Sequence, residues 1–121
     1  ISDKAKFEAQ LSGLDEALMK CAGITAAKFY RPPEGRFSRQ NLEYASELGY
    51  KTVFWSFAYA DWDNNRQPAP DDAIKKILDN AHPGEIMLLH PTSKTNADIL
   101  DRVLTALENE GYRFASLNEL P

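Results

Sequence analysis

Three short stretches hold the side chains best suited to acid–base or oxyanion chemistry: Arg31-Pro32-Pro33-Glu34-Gly35, Asp61-Trp62 and His90. Two consecutive prolines restrict the backbone, so that the N–H groups after them project in a fixed direction, as an oxyanion pocket requires. Arg31 sets a permanent cation at the start of that rigid segment. A histidine titrates near neutral pH and suits general acid or base duty. Asp61 next to Trp62, with Tyr59 close by, combines a carboxylate with flat aromatic rings, a mixture suited to sugars. Each group also has a plainer reading. Arg31 can pair with a surface carboxylate, His90 can be a satisfied structural residue, and Asp61-Trp62 can be a turn with a packed ring.

A metal site does not come together from the residues present. The chain has 2 histidines. His82 precedes and His90 ends one apolar run, eight residues apart, which in a strand is on the order of 20 Å or more. A zinc centre built on two histidines and a carboxylate therefore cannot be assembled from this chain alone. The single Cys21 has no internal disulfide partner and reads as a small buried apolar side chain. The acidic pair Asp71-Asp72 reads as charge at a helix N-terminus, favoured by the dipole, and not as a catalytic dyad.

Composition removes several function classes. Fourteen Lys plus Arg against 18 Asp plus Glu give a net charge of −4, so no basic surplus exists to neutralise a phosphate backbone, and nucleic acid is not an expected partner. The longest apolar run, Ile86-Met87-Leu88-Leu89, is strand length, which predicts no membrane span. With 121 residues, 43% hydrophobic and 26% charged, the chain has room for one domain at most. Its amphipathic pattern begins abruptly at an Ile, which suggests a chain cut from a longer one.

Those groups must be positioned by alternating helices and strands. Ser2 or Asp3 can cap a first helix with Phe7, Leu11, Leu14 and Leu18 on one face and Gly23 at its end. A strand around 28–30 follows. Ser38 caps a second helix with Leu42, Ala45 and Leu48 inward and Gly49 as its stop. Residues 51–57, β-branched and aromatic, predict a second strand, with Trp55 in the core. After a polar stretch over 58–70, a helix over about 71–80 points Ile74, Ile77 and Leu78 inward. His82-Pro83-Gly84 turns into a strand over 86–89, and a helix over about 96–109 carries Leu100, Val103, Leu104 and Leu107 on one side. Residues 113–117 predict a last strand. The class is α/β, with about four parallel strands and covering helices. In such architectures the loops leaving the carboxyl ends of the strands handle ligands, and Arg31, Asp61 and His90 all fall on such exits.

These loops resemble motifs of the polysaccharide deacetylases, or carbohydrate esterase family 4, also called the nodulation-protein-B homology domain. Phe29 through Gly35 is similar to the family's third motif, Trp55 through Asp61-Trp62 to its fourth, and Leu88-Leu89-His90 to its fifth. The runs from His82 to His90 and from Phe54 to Trp62 resemble most the branch that deacetylates muramic acid in spore cortex peptidoglycan. The resemblance implies the C-terminal half of a distorted (β/α)7 barrel. It also implies a divalent metal, zinc or similar, whose ligands, together with the base aspartate, belong to two earlier motifs not in this chain. By position, Arg31 would pair with that aspartate and the backbone N–H of Glu34 would stabilise the oxyanion. His90 would protonate the departing amine, Asp61 would bond to the imidazole so that it arrives protonated, and Leu88 and Trp62 would line the pocket beside Pro33 and Tyr59. Glu34 stands where the family usually has tyrosine, and Ala58 where many members have an aspartate. Implied partners are a glycan and the N-terminal half of the same domain or a second copy; the implied location is secreted or at the cell wall. The competing readings are a non-catalytic carbohydrate-binding or assembly module built on Trp62 and Tyr59, and a small doubly wound domain, for which no Gly-rich phosphate cradle is present.

Overall fold

The structure, a computed structural model, describes residues 3–121. The described residues divide into two compact units, the first ending at Phe54 and the second running from Trp55 to Pro121. In the first unit, α1 (Lys4–Ala22) is capped by Asp3, whose carboxylate accepts from the amides of Ala5 and Lys6, and is closed by Gly23 at φ 68°. Ser2, the other expected cap, lies outside the described residues. β1 (Phe29–Tyr30) leads into a 3₁₀ turn over Pro33–Gly35, then α2 (Arg39–Glu47), capped by Ser38, and β2 (Lys51–Thr52). β1 and β2 pair in parallel, Phe29 opposite Lys51 and Tyr30 opposite Thr52. The core here is small: Phe7 from α1, Ala45 from α2 and Tyr50, with the rings of Phe7 and Tyr30 edge to face at 5.3 Å.

The second unit holds β3 (Phe57–Ala58), α3 (Pro70–Asp79), β4 (Met87–Leu88) and α4 (Lys94–Asn109). β3 and β4 pair in parallel, Phe57 opposite Met87 and Ala58 opposite Leu88. Phe57 and Tyr59 from one side and Ala73, Ile77, Ile99, Val103 and Leu107 from α3 and α4 form its core. The inward positions of α3 and α4 step by four along each helix, the spacing that makes a single apolar stripe. Asp71 and Asp72 sit in the first turn of α3, as its dipole favours.

The α/β alternation with parallel strands is present, and several details differ from the sequence reading. The predicted strand over 51–57 is two strands, because its ladder partner changes midway. The amide of Val53 donates to Tyr30 O, whereas that of Ser56 donates to Ile86 O. The predicted strand over 113–117 does not form. Instead Ser116 and Glu119 make a reciprocal capping box that starts a 3₁₀ turn over Leu117–Glu119, and Arg113 reaches the same carboxylate at 3.0 Å. Local side-chain bonds of this kind offer the backbone an alternative to a ladder. Cys21 is exposed on the last turn of α1, not buried. Leu14, Leu100 and Leu104, read as inward, are 53%, 45% and 37% exposed. Trp55 is half-buried.

Candidate active site

β3 and β4 run side by side, so the chain leaving each arrives at the same end of the pair. Three residues after β3 comes Asp61 and two after β4 comes His90. Asp61 is completely buried, and its carboxylate accepts three hydrogen bonds. Its Oδ1 meets His90 Nδ1 at 2.7 Å, and its Oδ2 accepts from the His90 amide at 2.8 Å and from Asn96 Nδ2 at 2.6 Å. A buried carboxylate needs this degree of satisfaction, since an unpaired buried charge is expensive.

That geometry assigns the imidazole's tautomer. As a carboxylate Asp61 has only acceptors, so the hydrogen between the two groups sits on Nδ1 of His90. Nε2 is left to exchange a proton with whatever enters, and the side chain keeps 31% of its surface exposed. The Trp62 ring stands edge-on to the imidazole, centroids 6.2 Å apart, and is itself 61% exposed. A proton-exchanging nitrogen beside an open indole face is a combination that can hold a sugar ring and transfer a proton to a group on it.

A second layer holds the pair. Asn96, in the first turn of α4, also donates through Nδ2 to the His90 carbonyl at 3.2 Å, and its Oδ1 accepts from the Tyr59 hydroxyl. Ser93 caps α4, its Oγ accepting from the Asn96 amide at 3.0 Å and donating to Gln67 Oε1 at 2.8 Å. Gln67 Nε2 in turn donates to the carbonyls of Asp61 and Asp63. Burial, and secondarily the nearby Asp61 charge, pushes the Tyr59 phenol above its usual range, so it remains a donor. Tyr59, expected as a sugar-facing ring, is instead buried and stacked on Phe57 at 6.1 Å. No local pattern marks Asn96, Gln67 or Ser93 as site residues; the one hint is the Ser-x-x-Asn cap that starts α4.

Leu88 is half-buried within β4, beside Ala58. Arg31, Pro33 and Glu34 belong to the first unit. Arg31 follows β1 directly and is exposed, whereas Pro32 is fully buried and anchors the loop. Glu34 is the one described non-glycine residue with positive φ, 55°, inside the 3₁₀ turn. The carbonyls of Pro32 and Pro33 accept from the amides of Gly35 and Arg36, so the turn uses the amides after Glu34. Holding a side-chain-bearing residue in the left-handed region costs about 1–2 kcal/mol, the kind of strain that collects at functional loops. The Glu34 carboxylate faces Arg36 at 3.3 Å in the open, a pair worth little. Among the described residues no group of three or more His, Cys, Asp or Glu is placed to hold a metal ion. His82 Nδ1 is taken up by the Asn80 carbonyl at 2.9 Å. The described residues do not fit a resident metal.

Known proteins carry the same sequence pattern and fold. No protein-family profile matches the chain. It is 39% identical over 115 residues to the peptidoglycan-N-acetylmuramic acid deacetylase PdaA of Bacillus subtilis, covering 95% of the chain and 44% of that protein. It is 31% identical over 116 residues to a peptidoglycan-N-acetylglucosamine deacetylase of Bacillus cereus, covering 93% of the chain and 41% of that protein. The solved structure of PdaA, a family 4 carbohydrate esterase, superposes with a TM-score of 0.92 at 38% identity over 98% of this chain and 50% of that one. The chain thus spans less than half the length of these curated relatives. Parallel strands that deliver a buried Asp61 and an accessible His90 to one end, in a fold so near that of a solved member, lead to one assignment: the chain belongs to the family 4 carbohydrate esterases.

Proposed function

We propose that this chain is the C-terminal half of a polysaccharide N-deacetylase domain, supplying the proton-donating side of an amide hydrolysis whose substrate is peptidoglycan. The observation that carries this reading is the Asp61–His90 pair: a carboxylate with no exposed surface holds Nδ1, and Nε2 is the nitrogen left to work. In amide cleavage the amine is a poor leaving group until protonated, and His90 Nε2 is the group here that can deliver that proton. Asp61, bonded to Nδ1, keeps the ring from turning. Arg31 would hold a carboxylate of the complete domain ionised and aimed, and the Glu34 amide would donate to the oxyanion. A divalent metal such as zinc would take its ligands from outside this chain.

Of the sugars, muramic acid is favoured, because identity to the muramic acid deacetylase exceeds that to the glucosamine deacetylase, 39% against 31%. Spore cortex peptidoglycan is the matching material, and a secreted or wall-associated location follows from the substrate. The N-terminal half of the domain, or a second copy of the chain, is the expected protein partner. The test is the complete protein on acetylated peptidoglycan, with released acetate and the deacetylated sugar identified by mass. His90→Ala and Arg31→Ala should each lower turnover by at least about 100-fold. Near-normal rates for either would remove that residue's role, and deacetylated glucosamine alone would overturn the choice of sugar.

One observation favours a second reading, a carbohydrate-binding module: the openly exposed Trp62 ring is a ready stacking platform. Burial of Tyr59 deprives that reading of its second ring. Firm binding of peptidoglycan oligomers by the chain alone, abolished by Trp62→Ala and indifferent to His90→Ala, would establish it.

A further inference from the structure

Asn96 lies 35 residues from Asp61 in sequence and is 6% exposed. Its amide can be oriented from its neighbours alone. The two Nδ2 hydrogens face Asp61 Oδ2 at 2.6 Å and the His90 carbonyl at 3.2 Å, and neither partner can donate. Oδ1 therefore faces the Tyr59 hydroxyl, which must be the donor in that bond. The Asn96 main chain is fixed as well, through the Ser93 cap. Rotating the amide by half a turn would bring its oxygen against two acceptors and its N–H groups against the phenol. One side chain thus grips both members of the acid–base pair, the carboxylate of one and the backbone of the other.

We infer that Asn96 is a positioning residue for proton transfer at His90, and that Tyr59 sets the sense of its amide. Asn96 fixes the plane of the Asp61 carboxylate so that Oδ1 meets Nδ1, and ties the His90 main chain to the same frame, which aims Nε2. The role depends on donation, not on filling space. A buried filler tolerates an isosteric replacement better than truncation, because truncation leaves a cavity. A donor gripping two acceptors behaves the opposite way. Asn96→Asp keeps the volume and sets oxygen against oxygen, whereas Asn96→Ala removes the grip without adding repulsion.

Two measurements on the complete protein test this, and only the first rests on the deacetylase reading. In turnover of acetylated peptidoglycan near pH 8, Asn96→Asp should lower kcat by about 100-fold, and by more than Asn96→Ala, with KM little changed. In nitrogen NMR of the neutral His90 ring, the parent should show the Nδ1-protonated tautomer. Asn96→Asp and Tyr59→Phe should each show a mixture of the two tautomers. Tyr59→Phe removes a single hydroxyl three hydrogen bonds from the imidazole, through Asn96 and Asp61, so it decides the matter if the Asn96 variants do not fold. Asn96→Asp turning over as fast as Asn96→Ala, or ring signals identical in parent and variants, would overturn the inference. If the parent hydrolyses no acetamide, the deacetylase reading fails and the ring signals alone decide for or against Asn96.

Discussion

The Asp61 carboxylate accepts three hydrogen bonds and offers none, which makes its charge and shape hard to replace. In Asp61→Asn the amide oxygen can satisfy one side only. If it faces Nδ1, its NH2 is pressed against the His90 amide and Asn96 Nδ2, both donors. The expected result is a stability loss of about 1–3 kcal/mol in urea unfolding, the cost of buried polar groups left without partners. Alongside it, turnover should fall by about 10²–10⁴-fold, the range for losing a general acid. Asp61 and His90 were legible in the sequence because each follows a recognisable strand. Asn96 and Gln67 were not, because what they do exists only once two distant loops are folded against each other, and no local spacing records it. Tyr59 misled for a related reason: composition can tell that an aromatic ring is near a loop, but not which way the ring turns.

Helix α4 places Asn96 in its first turn, so the helix cap and the site share atoms. Ser93 Oγ accepts from the Asn96 amide and donates to Gln67, so Ser93→Ala removes a cap worth about 1 kcal/mol and strips Gln67 Oε1 of one donor. Hydrogen exchange at the amides of Asn96 and Ala97 should accelerate before the rest of α4 is affected. Deeper in the same unit, Ile77 has no exposed surface in the core between α3 and α4, and Ile77→Ala should cost about 2–5 kcal/mol by denaturant unfolding. Both helices could be read from apolar spacing, but the Ser93 cap of α4 could not. The strands could be read less well, since each is two residues long and a strand's identity depends on its partner. Residues 51–57 have one uniform composition and two different partners, and residues 113–117 have strand-forming composition and a capping box that competes with it.

At the scale of the whole molecule, no described helix is long and apolar enough to cross a membrane. Several large apolar side chains remain open to solvent, among them Ile24 and Phe37 in one unit and Leu100 and Phe114 in the other. Such surface drives association, so the chain alone should elute from size-exclusion chromatography ahead of a 121-residue monomer and shift again when the rest of the domain is supplied. The stability of the fold should also depend on Glu85. Burial raises its carboxyl above the usual range, partly offset by His82, and its Oε1 is enclosed without a partner. A carboxyl raised on folding holds its proton more readily in the native state. Its contribution is complete below the unfolded-state value and is lost as pH rises through the folded one. Glu85→Gln should therefore flatten that part of the curve and raise the urea midpoint at neutral pH. Trp62 gives the protein a native optical reporter. Imidazolium quenches indole emission more than neutral imidazole does, and this ring stands edge-on to His90. With Trp55→Phe leaving one indole, its brightness would follow the charge on the histidine through a pH titration, and its colour would follow a glycan settling over the ring, with no turnover needed.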